Sequence, residues 1–167
     1  MKRLTTWILT VLLIVTGCAP RTAYSDAVAC SRLVTIALQA MGNPAEYLSA
    51  DEDHYDFYFE KEQAFDEVAD CYVVFHRETT NVNELGIFRA DDEEDVAAVR
   101  DMVESYLNDQ TENLRSFAAN YSPKDMKKIE GAGVQVYGTY VIYYILDDED
   151  AASALEAVRR AIIVNGS

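Results

Sequence analysis

Basic residues are scarce in this chain. Lys and Arg number 14 against 29 Asp and Glu, for a net charge of −15, and a field of that sign repels nucleic acid, whose binding rests on phosphate neutralisation. A nucleic-acid partner is excluded on that ground. Histidine is limited to His54 and His76, and His76, beside Arg77-Glu78, suits an exposed strand end better than a general base. There is no H-E-x-x-H, no G-x-S-x-G, no P-loop and no dinucleotide glycine pattern. Asp51-Glu52-Asp53-His54-Tyr55-Asp56 is the one cluster dense enough in carboxylates to consider for a cation, and it lacks the glycine turn and spacing of a calcium loop. No catalytic residue, metal ligand or cofactor is therefore assigned.

Long hydrophobic runs are missing too. The longest, Trp7 to Val15, is far short of the ~20 residues that a spanning helix needs, but it has the length of the apolar core of an export signal. Lys2 and Arg3 precede it as the positive region that stays behind during insertion. Val15-Thr16-Gly17-Cys18 follows, with an aliphatic residue at minus three and two small ones before the cysteine, the pattern of a bacterial lipobox. The expectation is a lipoprotein signal peptide over 1–17, cleavage before Cys18, and lipid attachment at Cys18. Two or more acyl chains suffice for stable anchoring where one is marginal. Residues 18–25 would form the lipidated cysteine and a short tether, within ~25 Å of the membrane at full extension. Residues 26–167 would form one extracytoplasmic domain, long enough to bury a core.

Cysteine is the next shortage. Apart from Cys18, only Cys30 and Cys71 are present, an even pair in a compartment that permits disulfides. Pairing geometry cannot be read from two positions, so a bridge and two buried thiols both stay open.

Periodicity divides the remainder. Ala29, Leu33, Ile36, Ala37 and Ala40 predict a helix over Asp26 to Met41, stopped by Gly42-Asn43-Pro44. Alternation of Tyr55, Phe57 and Phe59 predicts a strand from His54 to Glu60. Cys71–His76 and Glu84–Arg89 are expected as antiparallel strands, joined by too short a link for a crossover. An acidic cap at Asp92–Asp95 opens a long helix to about Asn120, and Ser122-Pro123-Lys124-Asp125 opens a short one ending by Gly131. Gly138-Thr139 between two apolar segments predicts a type II′ hairpin. Asp147 to Asp150 caps a last helix ended by Asn165-Gly166. The fold class is α+β: an antiparallel four- to five-stranded sheet with helices packed mainly on one face. Tyr72–Val103 and Val134–Ile162 share one order of elements, and Ile87 to Asp95 is similar to Tyr143 to Asp150, so a ββα-ββα repeat is a further expectation.

Glu84-Leu85-Gly86-Ile87-Phe88, a long charged helix bearing Gln110, Phe117-x3-Tyr121-x-Pro123, and Gly138-Thr139-Tyr140 before an apolar strand together resemble a family of Gram-positive, largely clostridial lipoproteins classed as a domain of unknown function. The similarity runs from about Cys71 to Ile162. It implies a lipid anchor and a single α/β domain, and it carries no catalytic residue over.

Gln110, Tyr121 and Tyr144 are the candidate binding residues: an amide on an otherwise apolar helix stripe and two tyrosines among eleven, suited to protein or glycan contact if exposed. The leading expectation is a non-enzymatic binding or interaction module, lipid-anchored on the extracytoplasmic face of the cell membrane, with an envelope protein or glycan as partner. The alternative is an envelope-acting hydrolase using a carboxylate pair as acid and base.

Overall fold

The computed structural model describes residues 22–164. The signal segment, Cys18 and Asn165-Gly166 lie outside the described residues. The fold begins at strand β1 (Ala23–Tyr24), followed by helix α1 (Cys30–Met41). Gly42 ends α1 at φ 84°, a left-handed conformation that glycine adopts without steric cost, and returns its N–H to the Gln39 carbonyl. A 3-10 turn leads into strand β2 (Tyr47–Ser49). Next comes a helix where a strand was expected: α2 (Glu52–Tyr58). Asp51 accepts a hydrogen bond from the His54 N–H as its cap, and Glu52 and Asp53 fill the first turn, which accounts for the acidic cluster without a cation.

Strands β3 (Val68–His76) and β4 (Glu84–Ala90) pair antiparallel, and the long helix α3 (Val96–Tyr121) follows. Helix α4 (Met126–Glu130), strands β5 (Gly133–Tyr137) and β6 (Tyr140–Ile145), helix α5 (Asp148–Ile162) and strand β7 (Ile163–Val164) complete the described residues. The β5–β6 turn has the expected chemistry: Gly138 alone takes positive φ, at 59°, as a type II′ turn requires. Asp147 caps α5 by accepting from the Asp150 N–H.

One antiparallel sheet of order β2-β3-β4-β6-β5 organises the molecule. The α+β class and strand number are as expected; the helices, however, divide between the two faces. Leu85, Ile87, Tyr140 and Ile142 point to α1 and α5, where Leu33, Ala37, Ala154 and Val158 complete one core. Phe88, Val141, Tyr143 and Ile145 point the other way, to Val99, Val103, Tyr106 and Leu107 of α3 and to Phe59 beyond α2. Full burial of each large side chain contributes roughly 1.5–3 kcal/mol, so both faces hold the fold.

The division also breaks the expected repeat. Both blocks lie in one sheet, but Ile87 and Tyr143, matched by the shared junction, belong to opposite cores. With β4 and β6 antiparallel neighbours, only an axis normal to the sheet could exchange them, and it would keep α3 and α5 on one face. The order strand-strand-helix does recur within the one sheet, but α3 and α5 pack on opposite faces of it, so no two-fold axis relates the two blocks.

Part of the segment expected as a tether lies within the fold. Ala23 and Tyr24 pair with Val164 and Ile163, and the Ser25 N–H bonds the Ile162 carbonyl, so chain that was assigned to the tether is part of the fold. Tyr140 pins the next stretch, donating its hydroxyl to the Val28 carbonyl at 2.7 Å and accepting from the Val28 N–H at 3.1 Å.

Cys30 and Cys71, candidates for a disulfide, are free thiols. Strand alternation is the reason: Cys30 belongs to the α1 core with Tyr72 packed against it, whereas Cys71 packs against the α3 core. Burial and then the neighbouring Asp70 push both thiols up, Cys71 to about 11. Neither is a ready thiolate nucleophile. Iodoacetamide at pH 8 should leave both unmodified in the folded protein and alkylate both in denaturant without reductant. A mass lower by two hydrogens and no alkylation in denaturant would mean a bridge.

Candidate functional site

The start of β4 is where polar chemistry enters the interior. Glu84 is 8% exposed, and its Oε1 accepts hydrogen bonds from the hydroxyls of Tyr106 and Tyr143, each at 2.6 Å. Tyr106 comes from α3 and Tyr143 from β6, so the carboxyl ties a helix and two strands at one atom. Burial holds the Glu84 carboxyl above the usual carboxylate range, and the two hydroxyls oppose that shift without cancelling it. Burial and the adjoining carboxyl push both tyrosines up, which keeps them as donors.

Asn83 turns to the other side of the strand. Its amide nitrogen donates to the Tyr47 hydroxyl at 3.0 Å and its amide oxygen accepts from Lys128 Nζ at 2.7 Å. Lys128 also lies 3.2 Å from Asp125, which accepts from the Ser122 hydroxyl. Burial works against the Asp125 charge, but Ser122 and Lys128 outweigh it and hold the carboxyl below its ordinary value. The Ser122-Pro123-Lys124-Asp125 stretch thus closes side chain to side chain, anchoring α4 beneath the sheet end.

Tyr106 connects this interior to a surface groove of about 300 Å³ between α2 and α3. Phe57 and Tyr58 form one wall; Met102, Tyr106 and Gln110 recur along α3 as the floor, with Ser105, Asp109 and Asn113 along its outer edge and Glu62 at the end. Phe57 is 64% and Tyr58 41% exposed, unlike neighbouring Phe59, which is fully buried. Behind this wall the His54 ring packs against Tyr58 and Phe75. Its Nε2 is buried without a hydrogen-bond partner among the described residues, and burial lowers its pKa despite Asp51 nearby, so the ring is an apolar wedge that seats α2.

A second, more acidic cavity of about 470 Å³ lies where β1 meets the β5–β6 turn, bordered by Asp26, Asp91, Asp92, Glu93 and Thr139. Among the described residues no group of three or more His, Cys, Asp or Glu is placed to hold a metal, and no helix is long and apolar enough to cross a membrane.

The three candidate binding residues do not converge. Gln110 lies in the α2–α3 groove. Tyr121, 79% exposed, stacks against Phe117 at the far end of α3, and Tyr144 packs at the margin of the α1–α5 core on the opposite sheet face. His76 is not the exposed strand end expected: its side chain is 8% exposed and sits 3.4 Å from Glu46. Sequence reasoning missed Glu84, Tyr106, Phe57 and Tyr58. Glu84 and Tyr106 are neighbours only through tertiary pairing, but Asp51 before an acidic turn was a legible sign of α2, with His54, Tyr55, Tyr58 and Phe59 as its helical stripe.

A protein-family model described as Domain of unknown function (DUF4358) matches residues 61–146. That segment holds Glu84, Tyr106, Gln110 and Tyr143 but starts after Phe57 and Tyr58. No curated protein and no solved structure matches the chain.

Proposed function

The chain belongs to the DUF4358 family, a domain of unknown function, and from that premise we propose that it is a lipid-anchored bacterial lipoprotein of the Gram-positive type, working as a non-enzymatic binding module on the extracytoplasmic face of the membrane with the α2–α3 groove as its ligand-facing surface. One observation carries the reading: a groove with solvent-exposed aromatic side chains on the sheet face opposite β1. A chain held at Cys18 reaches β1 through about 18 Å of extended backbone at most. Tyr24 packs on the α1–α5 core, so that face lies toward the anchor and the groove looks outward. The buried Glu84 knot fixes α3 against β4 and β6 and thereby gives the groove a rigid floor.

The hydrolase alternative has less behind it. Glu84 is bonded to tyrosines, not to a second carboxyl. Glu62 and Asp109 share the groove but are both exposed, so no difference in burial singles out one as acid and the other as base.

Two measurements test the proposal. Cys18→Ala should abolish lipid labelling and leave an uncleaved precursor or a released domain; unchanged labelling would sink the anchor. A photo-crosslinking phenylalanine analogue at Gln110 should capture an envelope component in intact cells, whereas the same analogue at Arg160 on α5, 75% exposed, should not. Equal adducts at both positions, or none at Gln110, would remove the groove as the binding surface.

A further inference from the structure

We propose that the α2–α3 groove docks a lysine- or arginine-bearing segment of a partner protein, an inference that rests on the groove being the ligand-facing surface. Charge comes first. Glu62 and Asp109 line the groove and both are exposed, and no Lys or Arg stands among its lining residues. A cation entering from outside therefore meets two carboxylates and no like charge in the lining.

The aromatic wall gives such a cation somewhere to lie. The ring of Phe57 is already used in this way, with Lys61 Nζ 4.8 Å from its centroid, a distance at which the electron-rich face of an aromatic ring attracts an ammonium. Among the described residues Tyr58 carries no such cation, and it is 41% exposed beside Glu62 in the groove lining. A lysine or arginine stem laid along Tyr58 would cover its ring while the charged head met Glu62 or Asp109. Gln110 and Asn113 are placed to bond the backbone of the same segment. A neutral glycan could also use the aromatic faces, but it would leave the carboxylates uncompensated, and the chain's net charge of −15 would add nothing to its capture.

The test is hydrogen-exchange mass spectrometry of the mature lipidated protein in phosphatidylcholine nanodiscs, with hexalysine and chitotetraose as probes. Hexalysine should slow exchange over 52–62 and 102–113, with affinity falling about tenfold in the Glu62→Gln/Asp109→Asn variant and changing less than about twofold in Glu93→Gln/Glu149→Gln, which removes as much charge elsewhere. Protection by hexalysine spread over all acidic segments, or unaffected by Glu62→Gln/Asp109→Asn, overturns the docking of a basic segment. Protection of the groove by chitotetraose alone overturns the ligand class and leaves the groove as a binding surface. No protection by either probe overturns both.

Discussion

Glu84→Ala should unfold in urea at a stability about 2–5 kcal/mol below that of Glu84→Gln, although the two variants remove the same charge. The difference lies in the acceptor. Both tyrosine hydroxyls meet Oε1, a position that the glutamine amide oxygen can occupy, so Gln preserves two hydrogen bonds to fully or nearly buried donors. Alanine leaves both hydroxyls unsatisfied, at about 1–3 kcal/mol each, and opens a small cavity. On a domain whose whole stability is of order 5–15 kcal/mol, that is a large share.

The wild-type protein should also show a pH dependence that Glu84→Gln lacks. The folded-state pKa of Glu84 is raised above the unfolded value, so between the two the native state binds more protons. Stability attributable to this group is therefore greatest below the unfolded carboxylate pKa, near 4.3, and falls as pH rises through the folded value. Urea midpoints measured from pH 4 upward should decline more steeply for wild type than for Glu84→Gln. Equal slopes, or equal stability of the alanine and glutamine variants, would mean that Glu84 is not the buried acceptor described.

How far the sequence carried depended on where the information lay. The β5–β6 hairpin was legible because Gly138-Thr139 and the flanking apolar runs are local signals, and the Asp147 cap of α5 was legible for the same reason, whereas Asp95 at the start of α3 makes no side-chain cap and no acidic residue falls in that helix's first turn. The sequence of strand β6 is apolar on both faces, with Tyr140, Ile142 and Tyr144 on one and Val141, Tyr143 and Ile145 on the other. Taken at full weight, that pattern contradicts a one-sided sheet: a strand apolar on both faces needs helices on both, and α1 with α5 opposite α3 is what the fold supplies. Segment 54–60 matched two periods at once, alternation through Tyr55, Phe57 and Phe59 and a helical stripe through His54, Tyr55, Tyr58 and Phe59, and the Asp51 cap decided for the helix. Of the candidate site, Gln110 was visible as a polar residue interrupting an apolar stripe. Its groove was not, because the opposite wall comes from α2, fifty residues earlier and misassigned.

Gly86→Ala should be the most destructive single-methyl addition in the sheet, costing about 3–5 kcal/mol, at or above the upper end of ordinary overpacking. Gly86 is the direct cross-strand partner of Tyr143, whose ring lies flat over it: a Cβ built there would stand 2.7 Å from Tyr143 Cζ and nearer still to Cε1. Backbone strain is not the issue, since Gly86 does not take positive φ. The ring cannot retreat either, being fully buried and tied to Glu84 through its hydroxyl. The glycine is therefore what lets Tyr143 lie along β4 and reach the carboxyl of Glu84, two residues before Gly86 on the same face of the strand. If that account holds, shortening the side chain that collides should recover part of the loss. Gly86→Ala combined with Tyr143→Leu should be more stable than the sum of the two single losses by at least about 1–2 kcal/mol in a double-mutant cycle. Strict additivity in urea denaturation would detach Gly86 from the Glu84 knot and leave its place in β4 unexplained.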